Sequence, residues 1–345
     1  MKPSCLLAAC CIASTIAVSP HVSTADDKSR PQAEKLLADA VEFGDIRTPG
    51  SAPFRLKARF FVNKDKNHSY EGTYLLEWNS TKSWRSELKT ASFTEIRIAH
   101  GDHLFISRNP SNPIAELFQV LNLLDFPRYL DRNPALKPEK LLEKQNGGTL
   151  QRVIEVSVGN RPWIKVYLDG SRPEISRIEY KGAVYGSYYP FKDFENSSDF
   201  RDYKEFHGHQ FPQTLSYRNS GILREQIEIL ELTDAVSGTP DFDPPPDSHW
   251  IRWCAHPRRA KLNLNRNLLP LMPPPQFRAG APRLHGAIYG IIGTDGLFHN
   301  LTVLESAGEL VDSYFEQELV RLSFEPAQCD GTPVETEQIL AFEYP

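Results

Sequence analysis

Four neighbouring segments decide the fold: G-T-Y-L-L-E-W (Gly72–Trp78), S-W-R-S-E-L (Ser83–Leu88), F-T-E-I-R-I (Phe93–Ile98) and G-D-H-L-F-I-S-R (Gly101–Arg108). Apolar and polar residues alternate through them. Successive side chains of a strand point to opposite faces, so a period of two marks a half-buried strand. The same period extends outward. It predicts strands over Phe54 to Val62, Tyr70 to Trp78, Ser83 to Thr90, Thr94 to Ala99 and His103 to Ser107. It predicts more over Leu150 to Val158, Trp163 to Leu168, Ile175 to Tyr180, Phe200 to Phe206, Thr214 to Arg218 and Leu223 to Leu232. Short polar or glycine-containing turns join most of them, which favours antiparallel pairing in one large sheet.

Two stretches change the period. Ala33, Leu36, Leu37, Ala40 and Val41 share one face of a helix. P-I-A-E-L-F-Q-V-L-N-L-L-D-F (Pro113–Phe126) reads as a second helix, with more apolar residues than one buried stripe requires. The expected fold is α+β: a large curved antiparallel sheet, an unclosed barrel, with helices over its concave side. A sheet that curls without closing leaves an apolar hollow. Leu117, Phe118, Leu121 and Leu124 are the candidates to line it; the alternative is that this surplus fills a solid core. Glu87 and Glu95 alternate with apolar positions, as the solvated face of strands should. Trp84 and Trp163 are assigned to the core or the cavity wall.

The amino terminus reads as a secretory signal over residues 1–25. Lys2 precedes an apolar stretch from Leu6 to Val18, and Ser23-Thr24-Ala25 offers a small-x-small cleavage site. Leu7-Ala8-Ala9-Cys10 also has the form of a lipoprotein cleavage box, but the apolar run before Cys10 is very short. Export to the periplasm is the expectation. Beyond this segment only Cys254 and Cys329 remain, which suggests one disulfide, with two buried free thiols as the alternative. A formal net charge of −5 argues against general nucleic-acid binding.

Proline marks a boundary. Ten of the 27 prolines lie between Pro240 and Pro282, including Pro244-Pro245-Pro246 and Pro273-Pro274-Pro275. Such runs favour extended geometry, so residues 240–277 are expected to form a semi-rigid linker after a domain spanning 31–247. Arg252, Arg258, Arg259, Lys261 and Arg266 stand in this stretch without an acid among them. They form either a patch for lipid headgroups or acidic partners, or a basic segment packed by Trp250 and Trp253 and pinned by Cys254.

The remaining residues, 278–345, carry L-H-G-A-I-Y-G-I-I-G-T-D-G-L-F-H-N-L-T-V-L-E-S-A-G (Leu284–Gly308). Ala287 to Ile292 is a strand, Thr294-Asp295-Gly296 a turn, and Leu301 and Val303 the buried face of a second strand. Phe315, Leu319 and Leu322 form a helical stripe, Pro326 stops the helix, and Gln338 to Phe342 alternates as a last strand. This small domain is ββαβ. It resembles the C-terminal domain of TonB-family proteins. The residues that carry the resemblance are Gly286, Asp295, Gly296, Val303, Ser306, Gly308, Asp312, Phe324, Pro326, Ala327, Gly331, Pro333, Val334 and Phe342. The resemblance implies that the domain docks an outer-membrane receptor or another envelope protein. The expected docking element is the closing edge strand of Glu337, Gln338, Ile339, Leu340, Ala341, Phe342 and Glu343, where an extended peptide can add. Its acidic ends, Glu335, Glu337 and Glu343, either make that contact selective or simply keep the edge from pairing.

The larger region resembles LolA-type outer-membrane lipoprotein-sorting proteins. The relevant residues are Gly72, Trp78, Trp84, Arg85, Phe93, Ile96, Gly208, Phe211, Pro212 and Phe242. That family's fold is an unclosed β-barrel with a helical lid over a lipid-binding cavity, which implies a lipid or lipoprotein acyl chain as ligand here. No ligand residue is carried over, because none aligns to a clear motif.

Nothing in the chain supports enzyme chemistry. G-x-S-x-G, H-E-x-x-H and a phosphate-binding glycine loop are all absent from the sequence. His207-Gly208-His209 reads as a hairpin turn rather than a metal pair, because no third ligand lies nearby. No catalytic residue, metal or cofactor is therefore assigned. The expected function is a non-enzymatic periplasmic protein that binds a hydrophobic or lipid-like ligand and docks an envelope partner. The alternatives are a TonB-family energy transducer or accessory in transmembrane transport, and an envelope-stress or lipoprotein sensor. Intact-mass measurement of the protein purified from its native envelope should place the mature start near Asp26, without an acyl chain. A mass retaining residues 1–25, or a lipid on Cys10, would overturn the cleaved, unacylated form.

Overall fold

A computed structural model describes residues 29–63, 69–131, 136–146, 149–158, 161–181, 195–235, 242–254, 257, 260–262 and 284–344. The expected signal segment, residues 263–277 of the expected linker and residues 278–283 of the expected C-terminal domain lie outside the described residues. Among the described residues, no helix is long and apolar enough to cross a membrane.

In chain order the elements begin with α1 (Ser29–Gly44), β1 (Phe54–Asn63), β2 (Ser69–Ser80), β3 (Ser83–Thr90), β4 (Thr94–His100) and β5 (His103–Asn109). Two helices follow, α2 (Ala115–Leu124) and α3 (Arg128–Asp131). Next come β6 (Leu136–Asn146), β7 (Thr149–Val158), β8 (Arg161–Asp169), β9 (Ile175–Lys181) and β10 (Glu195–Arg201). The hairpin β11 (Lys204–Phe206) and β12 (His209–Phe211) precedes β13 (Thr214–Asn219), β14 (Ile222–Asp234), β15 (His249–Arg252) and β16 (Lys261–Leu262). The C-terminal part holds β17 (Leu284–Ile292), β18 (Phe298–Glu305), α4 (Glu309–Leu319), β19 (Phe324–Glu325), β20 (Ala327–Cys329), β21 (Thr332–Val334) and β22 (Thr336–Tyr344).

Thirteen strands form one antiparallel sheet in the order β15-β5-β4-β3-β2-β1-β14-β13-β10-β9-β8-β7-β6, and its two end strands do not meet. Strand β1 shows why the chain takes this form: Phe54, Leu56, Ala58, Phe60 and Val62 are buried, whereas Arg55, Lys57 and Arg59 are exposed. The buried face carries the helices. Leu117, Val120, Leu123 and Leu124 of α2 pack with Leu56, Leu76, Leu88 and Ile227 in the main core. Gly72 faces a crowded point of the same sheet, where an added Cβ would lie 2.3 Å from the Lys89 carbonyl oxygen and 2.4 Å from the Phe60 ring.

Several elements depart from the sequence expectations. Strand β6 contains Pro138, which cannot donate to a ladder; it is an end strand, and its register shifts beside that proline. Strand β10 reads E-N-S-S-D-F-R, yet Asn196, Ser197, Ser198 and Asp199 are all buried. His207 and Gly208 form the β11–β12 turn with positive φ, in agreement with the hairpin reading, and the two histidines reach different partners: Asp234 for His207 and the Glu42 carbonyl oxygen for His209. Within the expected linker, β15 is an end strand of the large sheet and β16 pairs with β19.

The C-terminal part has a three-stranded sheet, β18-β17-β22, with the turn at Gly296 between its first two strands. One face, Ile288, Ile292, Phe298 and Leu340, packs on Val311, Phe315 and Leu319 of α4. The other face, Ala287, Tyr289, Ile291 and Ile339, packs on Ala99, Leu104, Ile106 and Ile251 of the large sheet. A disulfide, Cys254–Cys329, ties the end of β15 to β20 across a separation of 75 residues. The chain-entropy model assigns such a loop about 4 kcal/mol of stabilisation at most. Thiol labelling of the denatured, unreduced mature protein should find neither cysteine free, and reduction should lower the urea midpoint. Two labelled thiols would reject the bridge.

Candidate functional site

The site lies where the large sheet, α2 and the C-terminal sheet meet. Strand register builds the floor. Phe54, Trp78, Trp84, Ala99, Leu104 and Ile251 lie abreast on β1, β2, β3, β4, β5 and β15. Leu76, Ser86, Arg97 and Ile106 form the next row, and Tyr74, Leu88, Glu95 and Arg108 the row after it. Paired residues share a face, so all three rows point inward.

This placement corrects the reading of Glu95 as a solvated residue. In F-T-E-I-R-I the apolar phase is Ile96 and Ile98, but the register inherited from β3 turns Glu95 and Arg97 inward. Glu95 is 4% exposed. Arg97 Nε donates to Glu95 Oε1 at 2.6 Å, and Arg97 Nη1 lies 2.8 Å from Glu337 Oε2. Arg108 donates from Nε to Glu95 and from Nη2 to Glu337, both at 2.5 Å. The Tyr289 hydroxyl donates to Glu337 at 2.7 Å. Phe118 of α2 completes the cluster, with the guanidinium carbons of Arg97 and Arg108 at 5.5 and 5.9 Å from its ring centre.

Glu337, expected at the exposed end of an edge strand, is therefore buried and bonded to the large sheet. Burial works to raise its pKa, but Arg97 and then Arg108 outweigh it and bring the carboxyl down to about 2. Burial works to lower the pKa of both arginines, and Glu337 and Glu95 outweigh it, so both stay charged. Burial, reinforced by Glu337, pushes the Tyr289 hydroxyl upward.

Beside this cluster is a partly open cavity of about 270 Å³. Phe118 and Leu121 of α2 line it, with Leu76, Trp78, Trp84, Leu104 and Ile251 of the large sheet, Trp253 just after β15, and Glu335 to Glu337 from the C-terminal side. Arg47, Asp125 and Arg128 add polar groups. Arg47 is held by the Leu124 and Phe126 carbonyls and by Asp125 at 3.1 Å. Arg128 pairs with Asp45 at 2.9 Å and lies over the Trp78 ring. Burial, with Arg47 nearby, lowers Arg128 to about 10 despite Asp45.

Of the four helix residues expected at the cavity, Phe118 and Leu121 are there. Leu117 and Leu124 point instead into the solid core, at 2% and 4% exposure. Strand β22 borders the small sheet: Glu337, Gln338, Ile339, Leu340, Ala341, Phe342 and Glu343 pair with β17 from Ile291 to His285. Ile339 faces the large sheet and Leu340 faces α4. The side chains of Trp163, Ala341, Phe342 and Glu343 lie outside the described residues. A second hollow, about 380 Å³, is lined by Tyr167, Arg177, Glu179 and Asp199 on the other face of the sheet. Arg177, one of the two arginines in its lining, pairs with Glu179 and Asp199 of the same hollow, so it is a less apt ligand site.

Sequence reasoning missed Arg47, Arg97, Arg128 and Trp253. A signal existed for Arg97 in its strict alternation with Glu95 and Phe93, but nothing in the sequence told which phase faced inward.

No family model matches the chain, and no curated protein matches it. Among solved structures it is similar to a LolA superfamily protein from Nitrosomonas europaea: 13% identity, TM-score 0.42, covering 61% of this chain and 95% of that one. It is also similar to a lipoprotein-sorting protein domain from Vibrio parahaemolyticus, described as putative, at 12% identity and TM-score 0.39, covering 63% and 95%. The MucA/MucB complex structure from Pseudomonas aeruginosa matches at 13% identity and TM-score 0.29, covering 91% and 94%.

The Glu337 cluster makes a pH prediction. A carboxyl whose pKa falls from 4.5 to about 2 on folding adds stability that is complete above its unfolded pKa. That stability is lost as pH drops through the folded value. Glu337→Gln should cost about 3 kcal/mol at pH 7, because it leaves a buried positive charge uncompensated. Urea unfolding from pH 7 to pH 2 checks it: the difference between the two proteins should hold to about pH 4.5 and shrink below. An equal difference at every pH would show that Glu337 acts through packing alone.

Proposed function

We propose that this chain is a non-enzymatic periplasmic binding protein. Its large sheet and α2 hold a hydrophobic or lipid-like ligand, and its C-terminal domain docks an envelope partner. The carrying observation is the cavity between Phe118 and Leu121 on one side and Leu76, Trp78, Trp84 and Leu104 on the other. Concave, mostly apolar sites with a few placed polar groups are the usual form of small-molecule pockets, which run to about 300–1,000 Å³. At about 270 Å³ the cavity is just below that range. It suits one acyl chain or the end of one better than a whole multi-acyl lipoprotein anchor. The export reading of residues 1–25 supports the periplasmic assignment.

A second reading, an energy transducer or accessory pairing with outer-membrane receptors through Glu337 to Glu343, draws on the border position of β22 in its sheet. The bonds of Glu337 to Arg97 and Arg108 favour the first reading, because they commit one face of that strand to the large sheet. Leu121→Asp places a charge against the cavity wall and should reduce binding of a fluorescent fatty-acid probe at least tenfold, with unfolding still cooperative. A wild-type protein that binds no such probe would overturn the carrier reading.

A further inference from the structure

The cavity wall carries hydrogen-bond donors that meet no acceptor. The indole Nε1 of Trp78, the indole Nε1 of Trp84 and Nη2 of Arg97 are all buried without a protein partner. All three residues line the same cavity. Their closeness is fixed by register: Trp78 is the cross-strand partner of Trp84, and Arg97 lies diagonally next to Trp84, two residues before its partner Ala99. Trp78 is 2% exposed, so bulk water does not satisfy its N–H. A buried donor left unpaired costs about 1–3 kcal/mol; these three, with Arg47 Nε a fourth in the same lining, mark a place where acceptors are wanted.

Acceptors without donors are wanted, because nothing in this set accepts. The buried charged groups around it are paired with one another, and Glu335, also in the lining, accepts from the Arg252 backbone N–H at 2.8 Å. Arg97 and Arg108 face Glu95 and Glu337, Arg47 faces Asp125, and Arg128 faces Asp45. An ammonium held by this set would meet three N–H donors and no acceptor among them, and the Glu335 carboxylate in the lining already accepts from the Arg252 backbone N–H. A hydroxyl would fill the site only in part. An oxyanion accepts from all three, and bonds to a charged acceptor are the stronger kind.

Resting on the ligand-binding reading above, we infer that this cavity takes an anionic amphiphile head first, with its oxyanion held by Trp78 Nε1, Trp84 Nε1 and Arg97 Nη2. The chain then runs along Leu121 and Phe118. A carboxylate and a phosphate share this chemistry; the volume of about 270 Å³ favours the smaller carboxylate.

The test titrates the mature protein with dodecanoate, dodecyl phosphate, methyl dodecanoate and dodecylamine, read by tryptophan fluorescence and calorimetry. Dodecanoate should bind about tenfold tighter than its methyl ester, and dodecylamine weakest. Trp84→Phe keeps an aromatic ring near Trp253 and removes the N–H together with part of the ring surface, a loss of apolar contact that the methyl ester reads separately. It should weaken dodecanoate about tenfold, one lost charge-assisted bond, while leaving the methyl ester within about twofold. Trp78→Phe should behave the same way and guards against a local folding fault in the first variant. Tighter binding of dodecyl phosphate would keep the oxyanion site and reassign its head to phosphate. Equal affinity for acid, ester and amine would overturn the head-group assignment alone, and so would variants that bind dodecanoate as wild type does. Failure of all four ligands to bind would overturn the carrier reading along with it.

Discussion

The architecture depends on one buried arrangement of charge: Glu95, Arg97 and Arg108 from the large sheet against Glu337 from the small one. Taking ions out of water costs several kcal/mol each unless they are paired and hydrogen-bonded. Strands β4 and β5 turn two arginines and one glutamate inward, which leaves an excess positive charge on an otherwise apolar face. Glu337 removes that excess, and Tyr289 fills a remaining acceptor position on it. The C-terminal part thus completes the large sheet electrostatically, rather than hanging from it on a tether.

The apolar contact around the cluster has a different role. Ala99, Leu104, Ile106 and Ile251 against Ala287, Tyr289, Ile291 and Ile339 exclude water, but such contact is non-directional. Orientation comes from the ion pairs, in which each carboxylate oxygen of Glu337 has its own guanidinium. Further ties hold the same border. Arg252 and Glu335 exchange two bonds at 2.8 and 2.9 Å, Trp253 stacks edge-on against Trp84, and Cys254 bridges to Cys329. The cavity is a product of this docking, because Trp253 and Glu335 to Glu337 form one of its walls. A ligand in this cavity and a partner at β22 would therefore share a structural element.

Much of the fold was legible in the residues. Strands β1 to β5 and β13 to β14 announce themselves by alternation, α2 by its apolar surplus, and the C-terminal ββαβ by its turn and helical stripe. The misses have physical causes. Strand β10 is made of polar residues that are buried because they bond within the sheet, as Asn196 does with Tyr217 and Asn219. Periodicity in hydrophobicity cannot detect such a strand. In β6, charged residues and a proline are tolerated because an end strand leaves one side unpaired.

Local pattern therefore determined which segments are strands and helices, that the sheet is antiparallel, and that α2 has apolar surface to spare. It could not determine which face of β4 is the inside. Period two is blind to phase when both faces of a strand carry apolar residues, Ile96 and Ile98 on one face of β4 and Ala99 on the other, and the segment that packs on the face of Glu95 lies nearly 200 residues further along the chain. Only the tertiary structure decided that Glu95, Arg97 and Arg108 face inward, because only there does Glu337 arrive to balance them. It also decided that Phe118 and Leu121 meet open space while Leu117 and Leu124 do not. That division is set by where α2 rolls against the sheet, and the sequence of α2 alone does not specify it.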